Sequence, residues 1–310
     1  MKYSYLLLVI SSLATGCIKD DIWNCPPKVN TTVYFSLEDY DGNDIFPTEV
    51  DRVELFVYDS EGMLASRSSI SKGELNIFTG KRLYLDPGTY TVIVWANAVR
   101  SQIVVNEDIH WLDRTHNHAM TAVPAGGALD DGDPLWYAPK ENGTPLTVVV
   151  PGQGEVEVTA ELRHAHVKLD VTVEGYDLVS RSDATEPLRM EVTDLTSRYD
   201  FDMNAHGERV SYQGHAPYTG SAGGYNRMFN IPVFDRDTPI RILITDSNGE
   251  QIHPDIRLSE LLNESIDVKK LRYMPVIVRF SEDIGDPATI RVEVTVDLPG
   301  WSEGAVSPEM

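Results

Sequence analysis

Two cysteines, eight histidines and 48 carboxylate side chains are the residues of this 310-residue chain whose types could do chemistry. His110, His116 and His118 fall within nine residues, and His116-x-His118 would put two imidazoles on one face of a strand. No cysteine stands beside them and the chain has no His-Glu-x-x-His pair, so the closed ligand set of a zinc site is missing. A solvated loop is the better reading. His164 and His166 read as ordinary alternating strand positions. Asp39-Tyr40-Asp41-Gly42-Asn43-Asp44 and Asp130-Asp131-Gly132-Asp133 offer hard oxygen donors of the kind calcium takes. The first has Val50 where an EF-hand loop needs its last glutamate, and the second follows no fixed template. Asp-Gly turns also arise for conformational reasons alone, so neither a metal nor a cofactor is expected.

Catalytic patterns are missing as well. The chain has no Gly-x-Ser-x-Gly elbow, no phosphate-binding loop and no Gly-x-Gly-x-x-Gly after a strand. Carboxylate pairs are plentiful among 48 acids, so their presence selects nothing. The expectation is a protein that is not an enzyme. Aromatic side chains suggest a different possibility: Tyr212, Tyr218 and Tyr225 lie in a glycine-rich stretch and could stack on sugars or dock a protein. The competing expectation packs them onto the fold.

The cysteines differ in context. Cys17 follows Lys2, the apolar run Leu6–Ile10 and the small-residue stretch Leu13-Ala14-Thr15-Gly16. That order is a secretory signal, too short for a membrane-spanning helix. Its layout resembles the lipobox of bacterial lipoproteins, with Ala14 where leucine is usual. The resemblance implies cleavage of residues 1–16 and acylation of Cys17 on sulfur and amine. Two or more acyl chains suffice for stable anchoring. Lys19-Asp20-Asp21 resembles the short signal that sends lipoproteins of Bacteroides-type bacteria to the outer face of the outer membrane. Residues 17–28, with Cys25-Pro26-Pro27, read as a tether. Cys25 is a free thiol or a partner for another molecule, and no disulfide framework supports the fold.

The elements that follow are short strands. Val33–Leu37, Val53–Tyr58, Thr89–Trp95, Leu146–Val150, Glu155–Val158, Val167–Val173, Leu188–Val192, Arg227–Val233, Ile240–Ile244, Tyr273–Phe280 and Ile290–Val296 are β-branched or aromatic runs, mostly alternating and bounded by turn residues. Leu258–Leu262 is the best helical candidate. Many short strands with frequent turns argue for an all-β fold of sandwich type. The length exceeds what one core usually serves. Val53–Gly62 and Ile240–Gly249 both run from an alternating strand into Asp-Ser-x-Gly, which favours two related sandwiches. The expected division is an N-terminal domain at 29–162 and a C-terminal domain at 163–310. Residues 106–145 read as a long excursion on one end of the first sandwich. A net charge of −22 argues against nucleic acid and against electrostatic binding to anionic lipid.

Several segments together resemble the FimB-type fimbrial anchor subunits of Bacteroidales lipoproteins. They are Cys17-Ile18-Lys19-Asp20-Asp21 with Cys25-Pro26, Arg52–Asp59, Leu162–Leu169, the terminal Gly300-Trp301 and, most specifically, Leu85-Asp86-Pro87-Gly88-Thr89-Tyr90-Thr91-Val92-Ile93-Val94-Trp95-Ala96-Asn97. The resemblance implies two tandem transthyretin-like Greek-key β-sandwich domains. It also implies a structural role: an anchor or minor subunit, lipidated in the outer membrane and facing outward, that binds fimbrial shaft subunits by β-strand complementation. An open sheet edge is a physical template for such a strand. The rival expectation is a surface lipoprotein that binds glycan or host protein through 106–145 or 212–225.

Overall fold

The computed structural model describes residues 28–296 apart from 40, 100–101, 106–117, 122–129, 139–145, 177–185, 200–202, 204, 220–223, 263–265, 267, 269–270 and 284–285. The described chain is all-β, organised as two sheet pairs that each enclose a core.

The first half supplies β1 (Thr31–Ser36), β2 (Arg52–Tyr58), β3 (Leu64–Ser71), β4 (Gly80–Leu83), β5 (Gly88–Ala96), β6 (Gln102–Val105), β7 (His118–Thr121), β8 (Trp136–Tyr137), β9 (Thr147–Val150), β10 (Val156–Glu161) and β11 (Arg163–His164). Short helices α1 (Phe46–Glu49) and α2 (Lys72–Ile77) join some of them. The second half supplies β12 (His166–Glu174), β13 (Leu188–Tyr199), β14 (Ala205–Ala216), β15 (Gly224–Pro232), β16 (Arg241–Thr245), β17 (Ile256–Arg257), helix α3 (Leu258–Leu261), β18 (Tyr273–Asp283) and β19 (Asp286–Val296).

In the first pair a three-stranded sheet, β10-β1-β4, faces the sheet β11-β8-β5-β2-β3, with β9 also on β5. Val33, Phe35, Leu55, Val57, Val92, Val94 and Ala160 meet between them. In the second pair β15-β12-β18-β19 faces β17-β16-β13-β7-β6, with β14 also on β13. Leu169, Val171, Met190, Val192, Tyr212, Phe229 and Val276 fill that core. Full burial of each such side chain contributes roughly 1.5–3 kcal/mol.

The two pairs share one connectivity. β1 lies parallel to β10 and antiparallel to β4, as β12 lies parallel to β18 and antiparallel to β15. β2 pairs with β3 and β5, as β13 pairs with β14 and β16. This sets β2 against β13, not against β16. The sequence likeness of Val53–Gly62 to Ile240–Gly249 therefore joins elements at different places in the two pairs, and reflects a shared turn rather than equivalent strands.

The excursion also departs from its expected place. Its strand β7 pairs with β6, which lies just before the excursion, and Met120 and Thr121 pair with Tyr199 and Arg198 at the end of β13. The first half thus extends a sheet of the second.

Candidate functional site

Cys17, Lys19, Asp20, Asp21, Cys25, His110 and His116 lie outside the described residues, and so does the terminal Gly300-Trp301. The remaining candidates fall into turns, a junction between the sheet pairs, one cleft and the sheet edges.

The acidic turns are built for conformation. In Asp39–Asn43 the Asp39 Oδ1 accepts from the backbone N–H of Asp41 and of Asn43, both at 2.9 Å. Asp59 accepts in the same way from Glu61 and Met63, and Asp246 from Asn248 and Glu250. Gly42, Gly62 and Gly249 close these turns at φ of 79°, 83° and 80°, a region glycine enters without steric cost. The Asn43 side-chain amide, then its backbone N–H, holds the Asp39 carboxyl below the usual range. Asp44 accepts from the N–H of Phe46 at the start of α1. Among the described residues no group of three or more His, Cys, Asp or Glu is placed to hold a metal ion.

Asp130-Asp131-Gly132-Asp133 is a clamp between the halves. Asp131 Oδ1 accepts from the Asn230 backbone N–H at 2.6 Å, and Oδ2 from Asn230 Nδ2 at 3.0 Å. A Cβ on Gly132 would stand 2.1 Å from the Asn230 carbonyl oxygen, so only glycine fits. Asp133 is buried and accepts from the N–H of Val99 at 3.0 Å. His166, 2% exposed, contacts the Leu135 carbonyl through Nδ1 at 2.8 Å and lies edge-on to Trp136. Burial pushes its pKa down to about 4, so the ring is neutral and its Nδ1–H is the donor to that carbonyl.

The motif Leu85–Asn97 is architectural. Asn30 brackets Leu85, accepting its N–H at 3.0 Å and donating to its carbonyl at 2.7 Å. The Tyr90 hydroxyl closes the turn on the Asp86 carbonyl at 2.9 Å. Asn97 sits at φ 60°, where asparagine is several-fold enriched over most residues. Its Oδ1 accepts from the Asp51 N–H at 2.8 Å, and its Nδ2 donates to the carbonyls of Glu49 and Pro134. The motif thereby ties β1, α1 and the end of the excursion to one strand. The outward side chains of β2 and β5, namely Phe56, Tyr58, Ile93 and Trp95, form a third cluster with Leu135, Ala165 and Tyr199. These two strands are buried on both faces, which explains why β5 reads as a nearly continuous apolar run. The Tyr199 hydroxyl donates to the Val233 carbonyl and so holds β13 to the segment after β15.

The tyrosines of the glycine-rich stretch are packed. Tyr212 and Tyr225 are fully buried, and Tyr218 packs on Tyr225 with ring centroids 5.3 Å apart. Exposed aromatic stacking is therefore not what this stretch offers. A cleft of about 250 Å³ does open here, lined by Asp130, Arg189, Gln213, Gly214 and His215. It brings together the excursion and the 212–225 stretch. Arg189 and Gly214 give no signal of this in the sequence.

The sheet edges differ between the pairs. On β18 one flank pairs with β12 and the other with β19. On its counterpart β10 only the flank toward β1 is paired among the described residues. The N–H groups of Val156 and Leu162 donate to Asn30 and Ser36, so the intervening Glu157, Thr159 and Glu161 turn their backbone groups the other way.

The family of fimbrillin-A associated anchor proteins Mfa1 and Mfa2 matches residues 23–303, nearly the whole chain. The chain belongs to this family. It is 25% identical over 318 residues to the major fimbrium anchoring subunit FimB of Porphyromonas gingivalis, an alignment covering 96% of this chain and 93% of that protein. The fimbrial anchor protein Mfa2 of Porphyromonas gingivalis has the same fold, with a TM-score of 0.61 at 17% identity over 89% of this chain and 98% of that one. A structure described as a putative polysaccharide binding protein of Bacteroides thetaiotaomicron superposes with a TM-score of 0.63 at 16% identity, over 88% and 99%. Membership of the Mfa2 family gives the chain a fimbrial, cell-surface role. Among the described residues no helix is long and apolar enough to cross a membrane.

Proposed function

We propose that this chain is a lipoprotein of the outer membrane, held by an acylated Cys17 and exported to the cell surface under Lys19-Asp20-Asp21. There it anchors a fimbrium as a non-enzymatic minor subunit. In this reading residues 17–28 are the tether, 29–162 the N-terminal domain and 163–310 the C-terminal domain. Shaft subunits join by adding a β-strand.

The observation that supports strand addition is the difference between β10 and β18. Two sheets of one connectivity end differently, one covered by the chain's own β19 and the other with no partner on its outer flank among the described residues. An uncovered edge presents alternate N–H and C=O groups to an extended segment. Glu157, Thr159 and Glu161 are exposed there, while Val156, Val158 and Ala160 face the core. An incoming strand would continue both faces with apolar side chains inward and polar ones outward.

Detergent-solubilised protein should co-purify with fimbrial shaft subunits. Thr159→Pro removes one outward N–H without touching the bonds to β1, and should abolish that co-purification while the chain stays folded. Normal surface fimbriae on cells lacking the protein, with purified fimbriae never containing it, would sink the reading.

A further inference from the structure

We propose that the cleft between Asp130 and the β13–β14 hairpin binds one carboxylate-bearing sugar residue, a hexuronate. This inference is independent of the anchoring role.

The cleft is assembled from two parts of the chain far apart in sequence, Asp130 at the end of the excursion and Arg189, Gln213 and His215 on adjoining strands. Arg189 and His215 stand directly opposite each other in the β13–β14 ladder, and Glu191 and Gln213 form the next same-face pair. Arg189 Nη2 donates to Gln213 Oε1 at 2.5 Å, which orients the guanidinium, and lies 3.8 Å from a Glu191 oxygen. Gly214 separates Gln213 and His215, the two polar residues of β14 that line the cleft. Behind it lies the Arg227 guanidinium, whose Nη2 donates to the Asp130 carbonyl at 3.0 Å. A Cβ at 214 would fall 2.7 Å from Arg227 Nε, so the glycine is what seats this second cation. The Asp130 backbone is thereby fixed at the rim.

The chemistry selects a ligand class. Two guanidiniums stand in or behind the cleft, with Asp130 on its lining and Glu191 3.8 Å from the Nη2 side of Arg189, in a chain whose net charge is −22. The planar fork of Arg189 suits a carboxylate. A compact bare anion would meet Asp130 at the same time and be repelled. A neutral sugar would leave the charge on the guanidinium edge that Gln213 and Glu191 do not occupy without a counter-ion. A sugar acid uses both: its carboxylate on Arg189, its hydroxyls on the Asp130 carboxylate, the Gln213 amide and the His215 ring. The volume is below that of drug-sized sites and suits a single ring.

The test is titration of the full chain, solubilised in detergent, with sodium glucuronate and sodium galacturonate, followed by calorimetry. Glucose and sodium sulfate are the controls. Saturable binding of a uronate, absent with glucose and at least tenfold weaker with sulfate, is expected. Arg189→Ala should weaken uronate binding at least tenfold, and Arg189→Lys, which keeps the charge but loses the fork, should recover only part. Asp130→Asn should weaken the uronate and strengthen sulfate. Unchanged melting of each variant separates lost contacts from lost folding, since Arg189 and Asp130 are exposed. No saturable uronate binding, equal binding by glucose or sulfate, or uronate binding untouched by Arg189→Ala would each overturn the proposal. Co-purification with shaft subunits reports the anchoring role separately.

Discussion

Asp131 holds Asn230 at both ends across 99 residues of sequence, its two carboxylate oxygens taking the backbone N–H and the side-chain amide. Gly132 beside it closes on the same residue's carbonyl. This contact, the β7–β13 pairing and the cluster around Trp95 and Tyr199 join the two sheet pairs. Asp131→Ala would strand three partly buried donors, the two of Asn230 and the Gly132 N–H, and should cost about 2 kcal/mol. Gly132→Ala forces a backbone shift and should cost more, roughly 3 kcal/mol or above. Urea denaturation of both variants checks this, and a Gly132→Ala protein as stable as its parent would show that the clamp is not made.

Asn97 offers a two-way test. Asn97→Ala loses three hydrogen bonds and keeps a side chain at positive φ, whereas Asn97→Gly loses the bonds but relieves the backbone. Both should destabilise by about 1–3 kcal/mol, with glycine the milder. Thermal melts that rank alanine above glycine would contradict this.

His166 sets a pH dependence. Its pKa is about 4 in the folded chain and near the ordinary 6.5 when unfolded. Between these values the unfolded state binds the extra proton, so stability falls as pH drops from 6.5 to 4 and is unaffected by this group above or below. The full effect is about 3 kcal/mol. His166→Gln should flatten the stability profile across that window. A parent protein whose stability is level from pH 6.5 to 4 would contradict the assignment.

Lipid attachment makes its own prediction. Cys17→Ala should leave the sheets folded, abolish palmitate labelling and move the protein from the membrane fraction to the medium or periplasm. Label that persists in the variant would place the acyl chain elsewhere.

How legible these features are in the sequence depends on what each residue faces. β2, β5, β12 and β18 stand out because cores on one or both faces demand β-branched and aromatic residues. β3, with Ser66, Ser68, Ser69 and Ser71, and β14, with Gly207 and Gly214, do not, because among the described residues each pairs on one flank only and tolerates polar or small residues. β13 runs on to Tyr199 past Val192 because bulges near Asp194, at φ 63°, break its alternation without ending the strand. The Asp-x-x-Gly turns can be read locally. The clamp cannot, since Asp130-Asp131-Gly132-Asp133 looks like a cation loop until Asn230 is placed against it. Asn97 carried a local hint: an asparagine right after a buried strand can take left-handed backbone and turn its amide inward.

The parallel pairing of β1 with β10 has a mechanical consequence. β1 is the first described strand, so tension arriving from the N-terminal side enters at Thr31 along the strand axis. Every rung between Thr31↔Val156 and Ser36↔Glu161 then bears that tension side by side, in shear, instead of opening one after another like a zip. A segment bonded along the outer flank of β10 would receive the force through this one ladder, and the core of the second sheet pair would lie outside the load path.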